Sequence, residues 1–479
     1  MTTINIRFLQ DYDEGENFKF KKGQTLKIKK EGGEHLIKRG VAEYTTTATA
    51  KKMEQFCKQE AKKHKLPPIK ETLEREERPK IESAILENVY KTTEKYIYVN
   101  DRNRIDVILA TAMSNQLSGT PIWMFIVGNS GDWKSAFTCS LEGLDHIIKL
   151  DMITKNTLAS GSKGNDLGYF LQNSSHILLF PDLASLMSSH TDEKNAIWGQ
   201  MRNLYDGFIN KRTGNDVHRK YENCHVTLIA CTTQVIRDEI LIHAQLGTRE
   251  LMYDTATDTV DNNFKMDAAW KNEDIEQQMK DEISEAVHNF LTYRKIKNIA
   301  IPEEIKSFIK QQANRLSILR AGGKTDRRYK ELLNPVYPEV PTRVVKQFKR
   351  LYIALKSLDD NYPDEKVKEI ISHIVNSSGN KVRQLILEFF EKNPDVDYKI
   401  SEIQHHVKLS RDAVKVQLET LWNLSIIDKE VREERIGGYV HTDSYTQQEE
   451  IRGGRIEEVA YYRYRSKAVM TYLPPQGEK

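Results

Sequence analysis

The segment that most constrains this fold is 122–137, IWMFIVGNSGDWKSAF, in which six apolar residues run into a loop of small residues. The apolar run predicts a buried strand, and the residues after the loop predict the start of a helix. The spacing matches the phosphate-binding pattern GxxxxGK[ST] at Gly128, Lys134 and Ser135, with Asn129, Ser130, Gly131, Asp132 and Trp133 between them. In this pattern, backbone N–H groups surround phosphates, the lysine neutralises their oxygens and the hydroxyl ligates Mg²⁺. The sequence departs from the pattern at Trp133, where a second glycine is expected.

Two further apolar runs predict neighbouring strands of the same sheet. Residues 176–182, HILLFPD, end in the carboxylate of Asp182, and residues 225–230, HVTLIA, lead into Thr232 and Thr233. Continuous apolar runs are typical of parallel strands that are buried on both faces. Because the carboxyl ends of parallel strands meet at one edge, we expect Asp182 to lie beside Ser135 and to hold Mg²⁺ through water. Thr232 or Thr233 is expected to contact a γ-phosphate or the attacking water.

With these motifs, the segment from about Tyr90 to Leu355 resembles an AAA+ ATPase of the minichromosome-maintenance helicase type, in the divergent form found in phages and mobile elements. Three further stretches carry the resemblance: 201–214 (MRNLYDGFINKRTG), 245–253 (QLGTRELMY) and 340–355 (VPTRVVKQFKRLYIAL). The resemblance implies an α/β fold, with an AAA+ P-loop core followed by a helical lid. It also implies ATP and Mg²⁺ as cofactors and a homo-oligomeric ring, most simply a hexamer.

The resemblance assigns roles to four more cations. Arg249 matches the arginine finger that completes the site of a neighbouring subunit, and Arg343 matches the sensor-2 arginine of the lid. Lys211 and Arg212 match a basic hairpin that enters the central pore and tracks a DNA strand. The chain departs from the family at three positions: Glu250 replaces a Phe, the sensor-1 Asn is a Thr, and no Glu follows Asp182.

The missing glutamate leaves three alternatives for the polarisation of water. Asp182 combines metal binding with water positioning, or Asp192 or Glu193 supplies the carboxylate, or hydrolysis is slow. We expect hydrolysis to be retained, because Arg249 and Arg343 would have little purpose in a site that only stored nucleotide.

Composition restricts the class of protein. The 479 residues are 39% hydrophobic and 29% charged, values typical of a globular protein large enough for several domains. The net charge of +3 does not by itself indicate nucleic acid, although cations cluster locally. Four isolated cysteines predict reduced thiols in a cytoplasmic protein rather than disulfides or zinc ligands. No apolar run reaches the length of a bilayer span, so we expect no membrane partner.

The composition also divides the chain. We predict a small SH3-like β-barrel over residues 1–46, with a helix around Leu36 and Ile37, and a charged linker over 47–84. The ATPase core is predicted over 85–261, the helical lid over 262–375, a winged helix over 376–445 and a C-terminal extension over 446–479. The lysines of the barrel either bind DNA or a partner or form a solvated face.

The winged helix is predicted from three helical segments, 381–393, 401–407 and 411–427, followed by two strands around the turn Gly437-Gly438. The third helix of such a domain enters the major groove of DNA. Arg411, Lys415 and Gln417 are therefore expected to face DNA, while Val414, Leu418 and Leu421 pack inward. Several glutamates dilute the positive face, so a winged helix that contacts protein is the alternative.

Together these features predict an ATP-dependent motor on single-stranded or forked DNA, a helicase or initiator-type ATPase for replication of a phage or mobile element. The alternative is a nucleotide-gated DNA-binding or regulatory or defence ATPase that assembles and recruits partners without unwinding.

Overall fold

A computed structural model describes residues 85–99, 101–162, 166–214, 217–237, 248–255, 262–323, 325–326, 328, 332–442 and 449–465, and the backbone of five short strands before residue 45. The chain divides into two compact units, Met1–Pro79 and Lys80–Lys479.

The first unit is β-rich, as the sequence predicts. Its strands are β1 Thr3–Phe8, β2 Tyr12–Asp13, β3 Lys19–Phe20, β4 Thr25–Lys29 and β5 Ala42–Tyr44. An antiparallel sheet has the order β4-β1-β5, and β2 pairs with β3. The helix predicted around Leu36 and Ile37 and the linker 47–84 lie outside the described residues.

The second unit contains a five-stranded parallel sheet. The strands after β5 are β6 Trp123–Val127, β7 Ile147–Lys149, β8 Ser174–Phe180, β9 Ile209–Arg212, β10 His218–Tyr221, β11 Cys224–Thr232 and β12 Glu250–Asp254. The parallel sheet has the order β12-β6-β11-β8-β7, while β9 and β10 form a separate hairpin. The three strands predicted from apolar runs are confirmed as β6, β8 and β11. Their parallel pairing places β11 between β6 and β8.

Helices cover both faces of this sheet. They are α1 Leu86–Tyr96, α2 Asn103–Ser114, α3 Lys134–Cys139, α4 Leu167–Leu171, α5 Ala184–Met187, α6 Thr191–Tyr205, α7 Asn262–Asn272, α8 Glu276–Tyr293, α9 Glu303–Arg320, α10 Thr342–Leu358 and α11 Asp364–Ser378. Alternate residues of β6 join different hydrophobic cores: Met124 and Ile126 lie in one, Phe125 and Val127 in the other. This alternation is the pleat of a strand buried on both sides. The unit is therefore an α/β layered structure compatible with a P-loop core.

The region predicted as a lid is helical and packs on the sheet. Helix α10 contacts α2, and α11 runs along the edge strand β12. The Ser378 Oγ accepts a hydrogen bond from the Met252 N–H at 2.7 Å, and the Ser377 Oγ accepts one from the Asp254 N–H at 3.1 Å. These hydroxyls satisfy edge N–H groups that would otherwise be open to pairing with another strand.

The C-terminal region contains three helices followed by an antiparallel pair of long strands, the order of elements that the sequence predicts there. Its elements are α12 Lys381–Lys392, β13 Tyr398–Lys399, α13 Ile400–Val407, α14 Arg411–Asn423, β14 Ile427–Thr442 and β15 Glu449–Tyr464. The sheet order is β13-β15-β14. The turn predicted at Gly437-Gly438 is wrong, because β14 continues through it and Gly438 pairs with Gly453. The returning strand β15 comes from the segment predicted as a C-terminal extension, and its pairing with β14 overrides the local turn signal.

Candidate functional site

The loop predicted to bind phosphate, residues 128–135 and called the phosphate loop below, connects β6 to α3 at the carboxyl edge of the parallel sheet. The Gly128 N–H donates to the Thr232 carbonyl of β11 at 3.1 Å, which fixes the start of the loop. A Cβ at Gly128 would collide with the Thr255 Oγ1, so this position requires glycine. Gly131 has a φ of +79°, a conformation that side chains disfavour. The loop therefore has its sharp turn at Gly131.

Lys134 and Ser135 lie where the sequence places them, in the first turn of α3. The Lys134 side chain is buried, and its Nζ donates to the Asn129 carbonyl at 2.7 Å within the loop. The Ser135 Oγ donates to the Pro181 carbonyl at 2.8 Å, immediately before Asp182. Asp182 follows β8, and its Oδ1 accepts the Ala184 N–H at 2.9 Å. The loop hydroxyl and the chain segment that carries the carboxylate are thus adjacent.

The end of β11 lies between the loop and Asp182. Thr232 is buried and pairs with Val127, the last residue of β6, and Thr233 follows it at the same edge. The Leu183 N–H donates to the Cys231 carbonyl at 3.0 Å, and the Leu183 side chain is 4% exposed. The position after Asp182 therefore presents a buried leucine. The other two candidate carboxylates lie in the first turn of α6, where Asp192 is exposed and Glu193 is half-buried.

Arg104, on α2, explains how the loop accommodates a tryptophan, and sequence patterns gave no signal for it. Its side chain is 1% exposed, its Nη1 lies 3.0 Å from the Asp132 Oδ1, and its guanidinium lies 4.2 Å from the centre of the Trp133 ring. The Trp133 ring also meets the Phe137 ring edge-on, with centroids 5.9 Å apart. The indole thus packs on a buried cation.

The Asp132 carboxylate belongs to the same cluster. Its Oδ2 accepts the Thr255 hydroxyl at 2.6 Å, and the Lys265 Nζ lies 3.8 Å from its Oδ1. Burial acts to raise the pKa of Asp132, but Arg104, the Thr255 hydrogen bond and Lys265 together hold it below its ordinary value. The carboxylate therefore stays ionised, with its charge offset by neighbouring cations.

A cavity of about 800 Å³ opens beside the loop, and we call it the loop-side cavity. Its walls are the end of α1, the phosphate loop with the start of α3, and α7 with the residues after it. The lining residues are Tyr96, Ile97, Tyr98, Gly131, Trp133, Ala136, Lys265, Met266, Ala268, Ala269, Trp270, Asn272, Glu273, Glu276 and Met279. Mainly apolar and aromatic walls with a few polar groups are typical of small-molecule sites.

Arg249 and Arg343 lie at the opposite edge of the sheet from their own phosphate loop. Arg249 precedes β12, whose first residue pairs with the start of β6. The Arg249 Nη2 donates to the Asp206 Oδ2 at 2.7 Å, and the Arg343 Nη1 donates to the Thr248 carbonyl at 2.9 Å. Both guanidiniums lie within 6 Å of the Tyr205 ring, at 5.7 and 5.9 Å. Arg343, Lys346, Tyr205 and Asp206 line a hollow of about 460 Å³. We call this hollow, together with Arg249 bonded to Asp206 beside it, the arginine cleft.

The predicted basic hairpin exists as β9 and β10, but Lys211 is directed at the protein. Its Nζ donates to the carbonyls of Lys155 at 2.6 Å and Ala159 at 2.9 Å, and to the Asn156 Oδ1 at 3.0 Å. Burial, followed by the charge of Lys155, lowers the pKa of Lys211. The prediction that Lys211 projects into a pore is therefore corrected, since these three oxygens hold its ammonium. Its neighbour Arg212 is exposed.

Helix α14, in the region predicted as a winged helix, has the predicted inner face, because Val414, Leu418 and Leu421 are buried. Arg411 is exposed at the start of the helix, and Lys415 is half-buried. The Gln417 Oε1 accepts hydrogen bonds from the Nε and Nη2 of the buried Arg383, at 3.1 and 2.9 Å. The prediction that Gln417 faces DNA is corrected, since its amide oxygen joins α14 to α12.

Comparison with known proteins gives no family assignment, since no family model and no curated protein matches this chain. No described helix combines the length and apolar character needed to cross a bilayer. Within the same described ranges, no cluster of three or more His, Cys, Asp or Glu side chains is arranged to hold a metal ion.

Proposed function

We propose that this chain is an ATP-hydrolysing motor of the AAA+ type that acts on DNA in the replication of a phage or mobile element. One observation carries the proposal. Lys134 and Ser135 begin the helix after β6, Asp182 follows β8 and Thr232 ends β11, so all four lie at the carboxyl edge of one parallel sheet. Ligands of α/β proteins bind outside this edge of the sheet.

The residues at this edge fit ATP and Mg²⁺. A bound phosphate would replace the Asn129 carbonyl as the partner of the Lys134 ammonium, and Ser135 and Asp182 would hold Mg²⁺. The metal, when bound, offsets the charge that develops on the phosphate oxygens. Thr232 or Thr233 would contact the γ-phosphate, while the loop-side cavity would take the remainder of the nucleotide.

The position of the arginine cleft supports assembly into a ring. Within one chain, Arg249 and Arg343 lie across the sheet from the loop, so we infer that they act on the nucleotide of a neighbouring subunit. A closed ring, most simply a hexamer, lets each subunit complete the next site. Arg212 on the hairpin and Arg411 and Lys415 on α14 are the proposed DNA contacts, through phosphates.

A nucleotide-gated switch that binds DNA without unwinding it is the second candidate. The buried Leu183 favours it, because a site without a carboxylate after Asp182 has lost the group that commonly polarises water in these ATPases. The two candidates differ on a forked duplex, where only a motor couples ATP turnover to strand displacement.

The test of the proposed function is Lys134→Ala, because Lys134 is the loop cation that meets the β- and γ-phosphates. We expect this variant to lose phosphate release and strand displacement while its circular dichroism and thermal unfolding match those of the wild type. Lys91→Ala, at an exposed position of α1, is the matched control and should retain both activities. Phosphate release by Lys134→Ala within about twofold of the wild type would reject the site. Turnover without strand displacement would favour the switch.

A further inference from the structure

The one lysine among the described residues that line the loop-side cavity stands on the side of the loop. Lys265 lies 3.8 Å from the loop residue Asp132, and the other charged residues of this described lining are Glu273 and Glu276. A nucleoside polyphosphate in this cavity has its negative charge at one end and its neutral base at the other. The charge pattern therefore orients the phosphates toward the loop and Lys265.

Lys265 lies on α7, outside the loop and its sequence pattern. Among the cavity-lining residues, all within the described chain, it is the only lysine or arginine. Its side chain is 27% exposed, so the ammonium has access to the cavity. Its stem carries a compact charge on four rotatable carbons, which suits a contact with phosphate oxygens.

An ion pair with Asp132 does not explain why the Lys265 ammonium lies at this position. The Asp132 carboxylate already bonds to the Arg104 Nη1 at 3.0 Å and to the Thr255 hydroxyl at 2.6 Å. The Lys265 Nζ lies farther from it, at 3.8 Å. The Arg104 side chain is only 1% exposed and is covered by the Trp133 ring, so it does not reach a ligand in the cavity. Of the two cations beside Asp132, Lys265 is therefore the one that can contact a ligand in the cavity.

We propose that Lys265 is a second phosphate-binding cation of the nucleotide site, contacting the β- and γ-phosphate oxygens while Lys134 binds them from the loop. This assignment rests on the proposed function. Arg343, the predicted lid arginine, lies at the opposite sheet edge and does not fill this place in its own chain. Helix α7 supplies Lys265 instead, so the phosphates are bound by α7 on one side and by the loop on the other.

The experiment compares Lys265→Met with Lys271→Met in the full chain. Lys271 is an exposed residue of the same helix that does not line the cavity, so it controls for charge and helix propensity. Binding of ATP, ADP and AMP is measured by calorimetry with Mg²⁺ present. Loss of one charge-assisted contact should weaken ATP binding by about tenfold. AMP, which lacks the β- and γ-phosphates, should bind Lys265→Met as it binds the wild type, and Lys271→Met should bind all three normally.

The outcomes separate this assignment from the proposed function. ATP binding by Lys265→Met equal to that of the wild type would overturn the assignment, as would an equal loss of ATP and AMP, which would indicate a packing role. If Lys265→Met has a lowered thermal midpoint, Lys265→Arg decides, because it keeps the charge and should retain tight ATP binding. A wild-type chain that binds no ATP would overturn the proposed function itself and this assignment with it.

Discussion

Trp133 illustrates why a residue that departs from a binding pattern need not abolish the site. Its φ of −42° and ψ of 8° lie on the right-handed side of backbone space, so this position does not require glycine. The positive φ falls instead on Gly131, where a glycine is present. The indole then needs only a surface to pack on, and Arg104 and Phe137 provide one.

The Arg104–Asp132 pair gives a prediction at the residue scale. Arg104→Met should lower the free energy of unfolding by roughly 3 kcal/mol, because a buried ion pair that loses one partner leaves an uncompensated charge. Asp132→Asn should cost less in the Arg104→Met background than in the wild type. Urea unfolding of the two single variants and the double variant measures the coupling, and strictly additive effects would contradict it.

The same pair has a defined pH dependence. Because the folded-state pKa of Asp132 is below its ordinary value, its stabilising contribution is complete above that ordinary value and is lost as pH falls through the folded-state pKa. The difference in stability between the wild type and Asp132→Asn should therefore shrink in acid, below about pH 4.

At the scale of elements, the sequence predicts those strands that a local pattern of apolar residues marks. Continuous apolar runs located β6, β8 and β11. Contacts between distant segments were not predictable from those patterns. The partner of Gln417 is 34 residues away on α12, and Lys211 bonds to oxygens more than 50 residues away. Lys265 likewise stands near Asp132 only because α7 folds back beside the loop.

Helix α14 gives a prediction that separates DNA contact from packing. Arg411→Ala should weaken DNA binding alike across sequences and reduce the salt dependence of binding by about one counterion, because one phosphate contact is lost. Gln417→Ala should leave that slope unchanged and lower stability, since the buried Arg383 loses its side-chain acceptor. Binding isotherms at several salt concentrations measure both, and a reduced slope for Gln417→Ala would restore its predicted DNA contact.

At the scale of the molecule, the C-terminal helices and strands and the five-stranded parallel sheet belong to one compact unit. Ile386, Phe390 and Leu418 lie in the same hydrophobic core as Met124 of the sheet. The Arg383 Nη1 donates to the Ile318 and Leu319 carbonyls at the end of α9, at 2.7 and 3.2 Å, and burial lowers its pKa to about 9. A buried cation at a helix C-terminus meets the negative end of the helix dipole. The helix proposed to bind DNA is thus fixed to helices that pack on the five-stranded parallel sheet.

The ring is the central claim, and it is tested most directly by mixing two inactive variants. Arg249→Ala has an intact phosphate loop and Lys134→Ala has an intact arginine cleft, so a mixed ring contains interfaces that pair one with the other. We predict that the mixture, assayed with DNA, releases more phosphate than the two variants measured separately. Lys134→Ala mixed with the double variant Lys134→Ala/Arg249→Ala should recover nothing. Full activity of Arg249→Ala alone, or no recovery in the mixture, would contradict a site shared between subunits.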